Sequence, residues 1–246
     1  MLIALLSDIH ANRPALEACL AHAREQDTER FVFLGDYVGY GSDPEWVVAT
    51  IMEFVNDGAV ALCGNHDSGV ALNNIPLYPE VQTVTDWTRG QLGIDEQRFL
   101  ANLPLTVHED DRLYVHADAS APADWNYVLS VEDASRSMKA TNSRLTFCGH
   151  VHQPAIYGLS STAKVTSFTP TPGAPVPLLR WRRWLVVLGS VGQPRNDDPA
   201  ASYAIFDTDT TEITFQRVPY DIEAAADAIR KNDLPNWFAE RLYLGK

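Results

Sequence analysis

The chain has 246 residues, with 19 Lys and Arg against 32 Asp and Glu, a formal charge of −13. At 46% hydrophobic and 10% aromatic it has enough apolar content for a real core, which excludes a disordered chain. The charge disfavours long nucleic acids, whose binding needs clustered Lys and Arg, and anionic membrane surfaces. At first sight it also disfavours phosphate substrates.

The first ten residues, MLIALLSDIH, are apolar over only six positions and lack a basic start. They read as a strand over Leu2–Leu6 and not as a signal peptide. Pro14–Arg24 follows as a helix, with Leu16, Cys19, Leu20 and Ala23 at three- and four-residue spacing. Phe31–Leu34 is a second strand, Pro44–Phe54 a second amphipathic helix and Ala59–Leu62 a third strand. This alternation implies a parallel sheet with right-handed crossovers.

Residues 66–103 read as helical and irregular, with helices over Thr83–Leu92 and Asp95–Leu103. Leu105–Glu109 and Arg112–His116 flank Asp110-Asp111 as a hairpin, Val131–Ala140 reads as a helix, and Leu145–Cys148 as a strand. Further strands are expected at Ala155–Leu159, Val165–Phe168, Leu178–Trp181, Trp184–Leu188, Tyr203–Asp207 and Glu212–Val218. Two helices close the chain, Asp221–Lys231 with Asp221 as N-cap, and Asn236–Tyr243. The Pro-rich stretch 169–177 is loop-sized, so one domain over 1–246 is expected, with two stacked sheets flanked by helices. No run reaches transmembrane length. Cys19, Cys63 and Cys148 are odd in number and widely spaced, and are expected to be free thiols in the cytoplasm.

Polar residues gather where the apolar strands end: Asp8 and His10, Asp36, Asn65 and His66, His116, then His150 and His152. Ligands of open α/β sheets bind outside the carboxyl ends of strands, so five strands aim polar groups at one place. Asp8/His10 and His150/His152 are spaced i, i+2, which sends both side chains of a pair to one side of an extended segment. Mixed nitrogen and oxygen donors without thiolate suit Mn, Fe, Zn or Co. Any one piece alone is an ordinary turn or a surface histidine; five together are not.

The blocks SDIH (7–10), GDY (35–37), GNHD (64–67), VHA (115–117) and GHVH (149–152) resemble those of the calcineurin-like metallophosphoesterases. The longer runs SDIHANRPALEA, GDYVGYGSDPE and GSVGQPRNDDPAASYAIFD resemble its small bacterial and archaeal phosphodiesterase branch. The resemblance implies a four-layer α/β/β/α sandwich with two mixed β-sheets flanked by helices. It also implies two divalent transition-metal ions, with Mn, Fe, Zn, Ni and Co as candidates. Asp8, His10 and His152 would hold the first ion, and Asn65, His116 and His150 the second, with Asp36 bridging. A hydroxide between the ions would attack phosphorus, and His66 would stabilise the developing charge or protonate the leaving oxygen. The implied substrate is a small phosphomonoester or phosphodiester. The alternatives are a nuclease or nucleotide hydrolase of the same mechanism, or a non-catalytic scaffold, which the intact eight positions disfavour.

Protein Ser/Thr phosphatases of that superfamily carry Asp-Arg in the loop after GDYV, where this chain has Gly39-Tyr40. The phosphate-gripping Arg and the Asp that orients the catalytic His are absent at those positions, which argues against a protein phosphatase. Asp67 follows His66, but adjacency alone does not make it the orienting group. Ala11 stands where relatives usually have Gly, and Asn12 is expected to face the substrate. Arg195 is a candidate for phosphate contact, with a surface salt bridge as the alternative. Trp125 or Tyr127, in the segment 117–130, would stand beside a base or sugar if that segment shaped the pocket; a packed surface loop is the preferred reading. Trp181, Arg182, Arg183 and Trp184 read as a solvated hairpin and not as a nucleic-acid contact.

Overall fold

The computed structural model describes residues 1–72 and 79–246. Six residues of the stretch read as helical and irregular therefore lie outside the described part. The first half runs β1 (Leu2–Leu6), α1 (Arg13–Glu25), β2 (Arg30–Phe33), α2 (Pro44–Asn56) and β3 (Val60–Ala61). Three helices follow, α3 (Asn65–Leu72), α4 (Pro79–Gln91) and α5 (Ile94–Asn102), then β4 (Thr106–Glu109), β5 (Arg112–Val115), α6 (Val131–Lys139) and β6 (Leu145–Cys148). The remainder is β7 (Ala155–Leu159), β8 (Val165–Phe168), β9 (Val176–Pro177), β10 (Arg183–Val187), β11 (Ala201–Asp207), β12 (Glu212–Val218), α7 (Ile222–Lys231) and α8 (Asn236–Leu244).

The strands form two six-stranded mixed sheets, ordered β3-β2-β1-β11-β12-β9 and β4-β5-β6-β10-β7-β8. Alternation along β1 explains the layering. Ile3 and Leu5 point to one face, against Phe147, Trp184 and Val186 of the second sheet. Ala4 and Leu6 point to the other, against Leu16 and Cys19 of α1 and Val47, Val48 and Ile51 of α2. On the far side, Leu185 and Val187 of β10 pack on Ala134 and Met138 of α6. The result is the expected α/β/β/α sandwich. Each fully buried Leu, Ile or Phe here stabilises by roughly 1.5–3 kcal/mol.

One expected strand is absent. Leu178–Trp181 does not pair; the preceding Val176–Pro177 pairs with β12 of the first sheet, and β10 lies in the second. The segment between them crosses from sheet to sheet, so it cannot be one arm of a hairpin. Leu178 is drawn into the inter-sheet core, and a turn closed by the Arg182 amide on the Leu179 carbonyl leaves Trp181 exposed. Among the described residues, no helix is long and apolar enough to cross a membrane.

Candidate metal centre

Strands β1, β2 and β3 are parallel, as are β5 and β6, so their carboxyl ends reach the same edge of each sheet. Pairing continues past the strands: the amides of Asp8, His10 and Ala11 donate to the carbonyls of Gly35, Asp36 and Tyr37. Gly149 donates to the His116 carbonyl, and the His150 amide donates to the Asp8 carboxylate at 3.0 Å. The run Gly189–Gly192 wraps the Asp8 turn, with Ser190 Oγ donating to the Asp8 carbonyl. Glycine is required at 149, where a Cβ would lie 1.9 Å from Ser7 Oγ and 2.6 Å from an Asp8 carboxylate oxygen.

Asp8, His10, Asp36, His150 and His152 all have left-handed backbones, with φ between 52° and 67°. That region strains residues with a Cβ by about 1–2 kcal/mol each, and it persists only where the surroundings enforce it. Five of the seven expected ligands therefore sit in a turn-rich rim and not at the last regular positions of strands.

Their side chains meet. Asp8, His10 and His152 form one buried cluster, and Asp36, His116 and His150 another, with donor atoms inside each within 4.8 Å of one another. Asn65 Oδ1 lies 3.3 Å from His116 Nε2, which joins it to the second cluster. Asp36 Oδ2 is 3.9 Å from His10 Nε2 and 3.3 Å from His116 Nε2, so it stands between the two.

Protonation decides whether these donors fit a cation. His10 Nδ1 donates to the Val38 carbonyl at 3.0 Å, and His152 Nδ1 to the Gln193 carbonyl at 2.6 Å. Both Nε2 atoms are then bare lone pairs, and they face each other at 3.1 Å. A shared proton would relieve the repulsion, but burial pushes both rings down, that of His10 well below the ordinary value. A metal ion relieves it without protonating an imidazole, and carbonyl-anchored histidines are the usual orientation for ligands. His150 Nε2 is buried with no hydrogen-bond partner among the described residues, and burial pushes this ring down to about 3. His116 Nδ1 donates to the Leu34 carbonyl at 2.8 Å. Burial opposes its protonation, but the Asp36 carboxylate outweighs burial and pushes the ring up to about 9. The donor set fits divalent metal.

Residues 1–211 match the profile of the calcineurin-like phosphoesterase superfamily domain. An uncharacterised protein of Methanocaldococcus jannaschii, MJ0912, is 32% identical over the whole chain and 98% of its own length. A crystal structure of a metallophosphoesterase from Sphaerobacter thermophilus superposes with a TM-score of 0.89 at 32% identity, covering 100% of this chain and 99% of that one. A hypothetical protein of Pyrococcus horikoshii, PH1004, shares the fold at a TM-score of 0.82 and 20% identity, over 100% and 98% of the two chains. This chain belongs to the calcineurin-like phosphoesterase superfamily. It is a metallophosphoesterase.

Within this superfamily the position of His66 is informative. It lies on the first turn of α3, a helix the sequence pattern left without bounds inside a helical and irregular stretch, because Asn65–Leu72 has no apolar stripe. The His66 amide donates to Asp36 Oδ1 at 2.8 Å, placing a carboxylate at a helix N-terminus. Among the described residues no carboxylate hydrogen-bonds the ring, and its buried Nδ1 has no partner. The ring stacks edge-on against Tyr40 at 4.5 Å and His10 at 5.1 Å. Gly39 has φ +86°, and a Cβ there would lie 2.5 Å from His66 Nδ1. The ring thus occupies the space that any side chain at 39 would need, an Asp included. His66 also lies in a third cluster with His10 and Asp36, their donor atoms within 4.8 Å of one another.

Asp67 does not orient that ring. Its carboxylate accepts from the amides of Asp36, Tyr37 and Gly64 at 2.7–2.9 Å, which pins the GDY turn to the GNHD turn. Asn12 differs from expectation too. Its oxygen caps α1 at the Ala15 amide and its nitrogen donates to the Gly192 carbonyl and the Tyr220 hydroxyl, so no donor is left for substrate. Arg195 makes no salt bridge among the described residues. It donates to Gln193 Oε1 at 3.1 Å and reaches the Tyr40 hydroxyl at 3.4 Å, while its Nε is buried and unpartnered. Tyr40 is the residue that sequence reasoning passed over; it was noted only as a departure, yet it touches His10, His66 and Arg195. On the opposite flank, Tyr127 stacks on His150 at 4.1 Å and Trp125 stands edge-on to His116 at 5.9 Å.

Proposed function

We propose that this metallophosphoesterase hydrolyses a small phosphomonoester or phosphodiester at a dinuclear centre. Asp8, His10 and His152 hold one ion, Asn65, His116 and His150 the other, and Asp36 serves both. The observation that carries this reading is the pair of bare imidazole nitrogens of His10 and His152, 3.1 Å apart with both Nδ1 atoms committed to carbonyls. When bound, two divalent ions polarise phosphoryl oxygens and make water acidic enough to supply a nucleophile at neutral pH. Mn, Fe, Zn, Ni and Co all suit the donor set.

The chain's own residues do the rest. His66 presents an imidazole beside Asp36, held by Tyr40 and His10 and kept neutral by burial, where it can donate to charge developing on the leaving oxygen. Arg195, with a buried free Nε and no acidic partner, grips a phosphoryl oxygen. Size selection comes from the acidic surface, which repels long polyanions beyond the reach of the metals. The whole chain acts as one unit, since α7 packs on α1 and Phe238 of α8 lies 5.2 Å from Tyr40, beyond the part matched by the family profile. All three cysteines are buried free thiols, which supports a cytoplasmic setting.

The test is a panel of p-nitrophenyl phosphate, bis-p-nitrophenyl phosphate, cyclic nucleotides and dinucleoside polyphosphates, each with Mn, Ni, Co, Mg and Zn. Metal-dependent turnover is expected, with His66→Ala lowering kcat by about 10²–10⁴-fold. Full activity in that variant, or a metal content of one ion per chain at saturation, would overturn the mechanism.

A further inference from the structure

The loop between β5 and α6 is built more firmly than its surface position requires. Asp118, fully buried, receives the Ser120 amide and hydroxyl and the Arg136 guanidinium from α6. Its own amide donates to the Asn126 carbonyl. At the far end, a capping box between Ser130 and Asp133 starts α6. Val128 is buried against α6 together with Ala134 and Met138. In an extended segment the residues on either side of Val128 point the opposite way, and Tyr127 and Leu129 are 46% and 65% exposed. Trp125 is held in a left-handed backbone at φ +55°, a strained state for an aromatic residue.

The result is an aromatic wall on one flank of the metal centre. One face of Tyr127 lies on His150, nearly parallel at 12°. Tyr127 remains 46% exposed with His150 as its ring partner, and its hydroxyl bonds nothing among the described residues. An apolar surface beside a phosphate site does nothing for the anion itself. It serves the organic group that the phosphate carries.

We infer that Tyr127, backed by His150 and flanked by Trp125, is a stacking platform selecting phosphoesters whose organic group is a planar aromatic ring, such as a nucleobase. This rests on the phosphoesterase reading above. Stacking on a single aromatic side chain is worth about tenfold in affinity for a base. The scissile phosphate stays on the metals, and the ring stacks on Tyr127 opposite His150.

The test is calorimetric titration of the full chain in Mn²⁺ with adenosine 5′-monophosphate, ribose 5-phosphate and inorganic phosphate. The nucleotide should bind about tenfold more tightly than the sugar phosphate. In Tyr127→Ala that ratio should fall to near one, and Tyr127→Phe, which keeps the ring, should restore it. Equal binding of the two by the unaltered protein overturns the inference without any variant. So does a Tyr127→Ala variant that weakens all three ligands in step. If inorganic phosphate itself fails to bind and no ester turns over with any metal, the phosphoesterase reading falls and carries this inference with it. Tight phosphate with no preference for the base overturns the stacking platform alone.

Discussion

The same strands build two regions with opposite character. Between the sheets, Ile3 and Leu5 of β1, Phe147 of β6 and Phe206 of β11 interlock in regular backbone through apolar side chains. A few residues further along β1, β2 and β6, the chain turns left-handed at Asp8, Asp36 and His150 and buries charge against charge. The first region stabilises the protein whatever is bound. The second is strained and gathers donors suited to a cation, so a bound ion would stabilise it. A rigid apolar body is what allows the strained rim to persist.

The largest effect should come from the body. Phe147 is fully buried and packs on Tyr114 in its own sheet and Phe206 in the other, at ring separations of 5.7 and 5.3 Å. Phe147→Ala should cost about 3–5 kcal/mol in denaturant unfolding, with or without metal. A metal-dependent loss would break the division between the two regions.

The rim should behave the other way. In Mn²⁺ at a hundredfold excess over its Kd, the unaltered protein should gain about 2.7 kcal/mol over its chelated form. His10→Asn places an amide nitrogen where Nδ1 donates to the Val38 carbonyl and removes the nitrogen that faces His152. In chelator its stability should match the parent within about 1 kcal/mol, because one of two repelling lone pairs has gone. In Mn²⁺ most of the gain should vanish. Melting curves in EDTA and in Mn²⁺ read both arms. A variant crippled in EDTA would show that His10 serves the fold and not the cation.

Asp118 is the instructive intermediate. Like the ligands it is a buried carboxylate just past a strand end, but its cation is supplied by the chain, as Arg136. Burial raises its pKa, and the hydrogen bonds from Ser120 and then Arg136 outweigh burial to leave it lowered from 3.8. A lowered folded value means that its stabilisation is complete above pH 3.8 and is lost as pH falls through the folded pKa. Asp118→Asn should cost about 1.5–3 kcal/mol at pH 7. The gap to the parent should close in acid unfolding below pH 3.8, regardless of metal. A gap that stays constant with pH would mean that the packing of this loop, and not its charge, is what matters.

The two regions also differed in how far the sequence disclosed them. Body strands followed from continuous or alternating apolar runs, and Glu212–Val218 has the expected ends to the residue. The donor set was legible because each apolar run stops abruptly at Asp, Asn or His, and side chains at five such stops can converge only at one edge. What holds those donors was not legible. Carbonyls of Val38, Leu34 and Gln193 fix the imidazoles, and backbone groups leave no residue-type signature. Helix α3 was legible only as part of a helical and irregular stretch, because its buried residues include the polar His66, Asp67 and Ser68 beside Gly69 and Val70. Leu178–Trp181 misled because a single buried Leu beside an exposed Trp mimics alternation where the chain is only crossing between sheets. Left-handed histidines cannot be anticipated at all, since the residue type favours other backbone.

The smallest predicted effect isolates that strain. Ala11 directly follows His10, has φ +48° and is fully enclosed, with its amide donating to the Tyr37 carbonyl and its carbonyl accepting from Asp43. Its methyl group is not among the candidate donors, yet it puts a left-handed residue with a Cβ into the rim. Ala11→Gly relieves about 1–2 kcal/mol of backbone strain and gives back part of it through the freer unfolded chain. A net gain of about 0.5–1 kcal/mol is expected in unfolding experiments in chelator. The gain should persist in Mn²⁺, because ligand positions are set by the hydrogen bonds on either side of residue 11 and not by its side chain. Destabilisation in both conditions would mean that the methyl packs the α1 entrance more than it strains it, and that the rim is held less tightly than its backbone angles indicate.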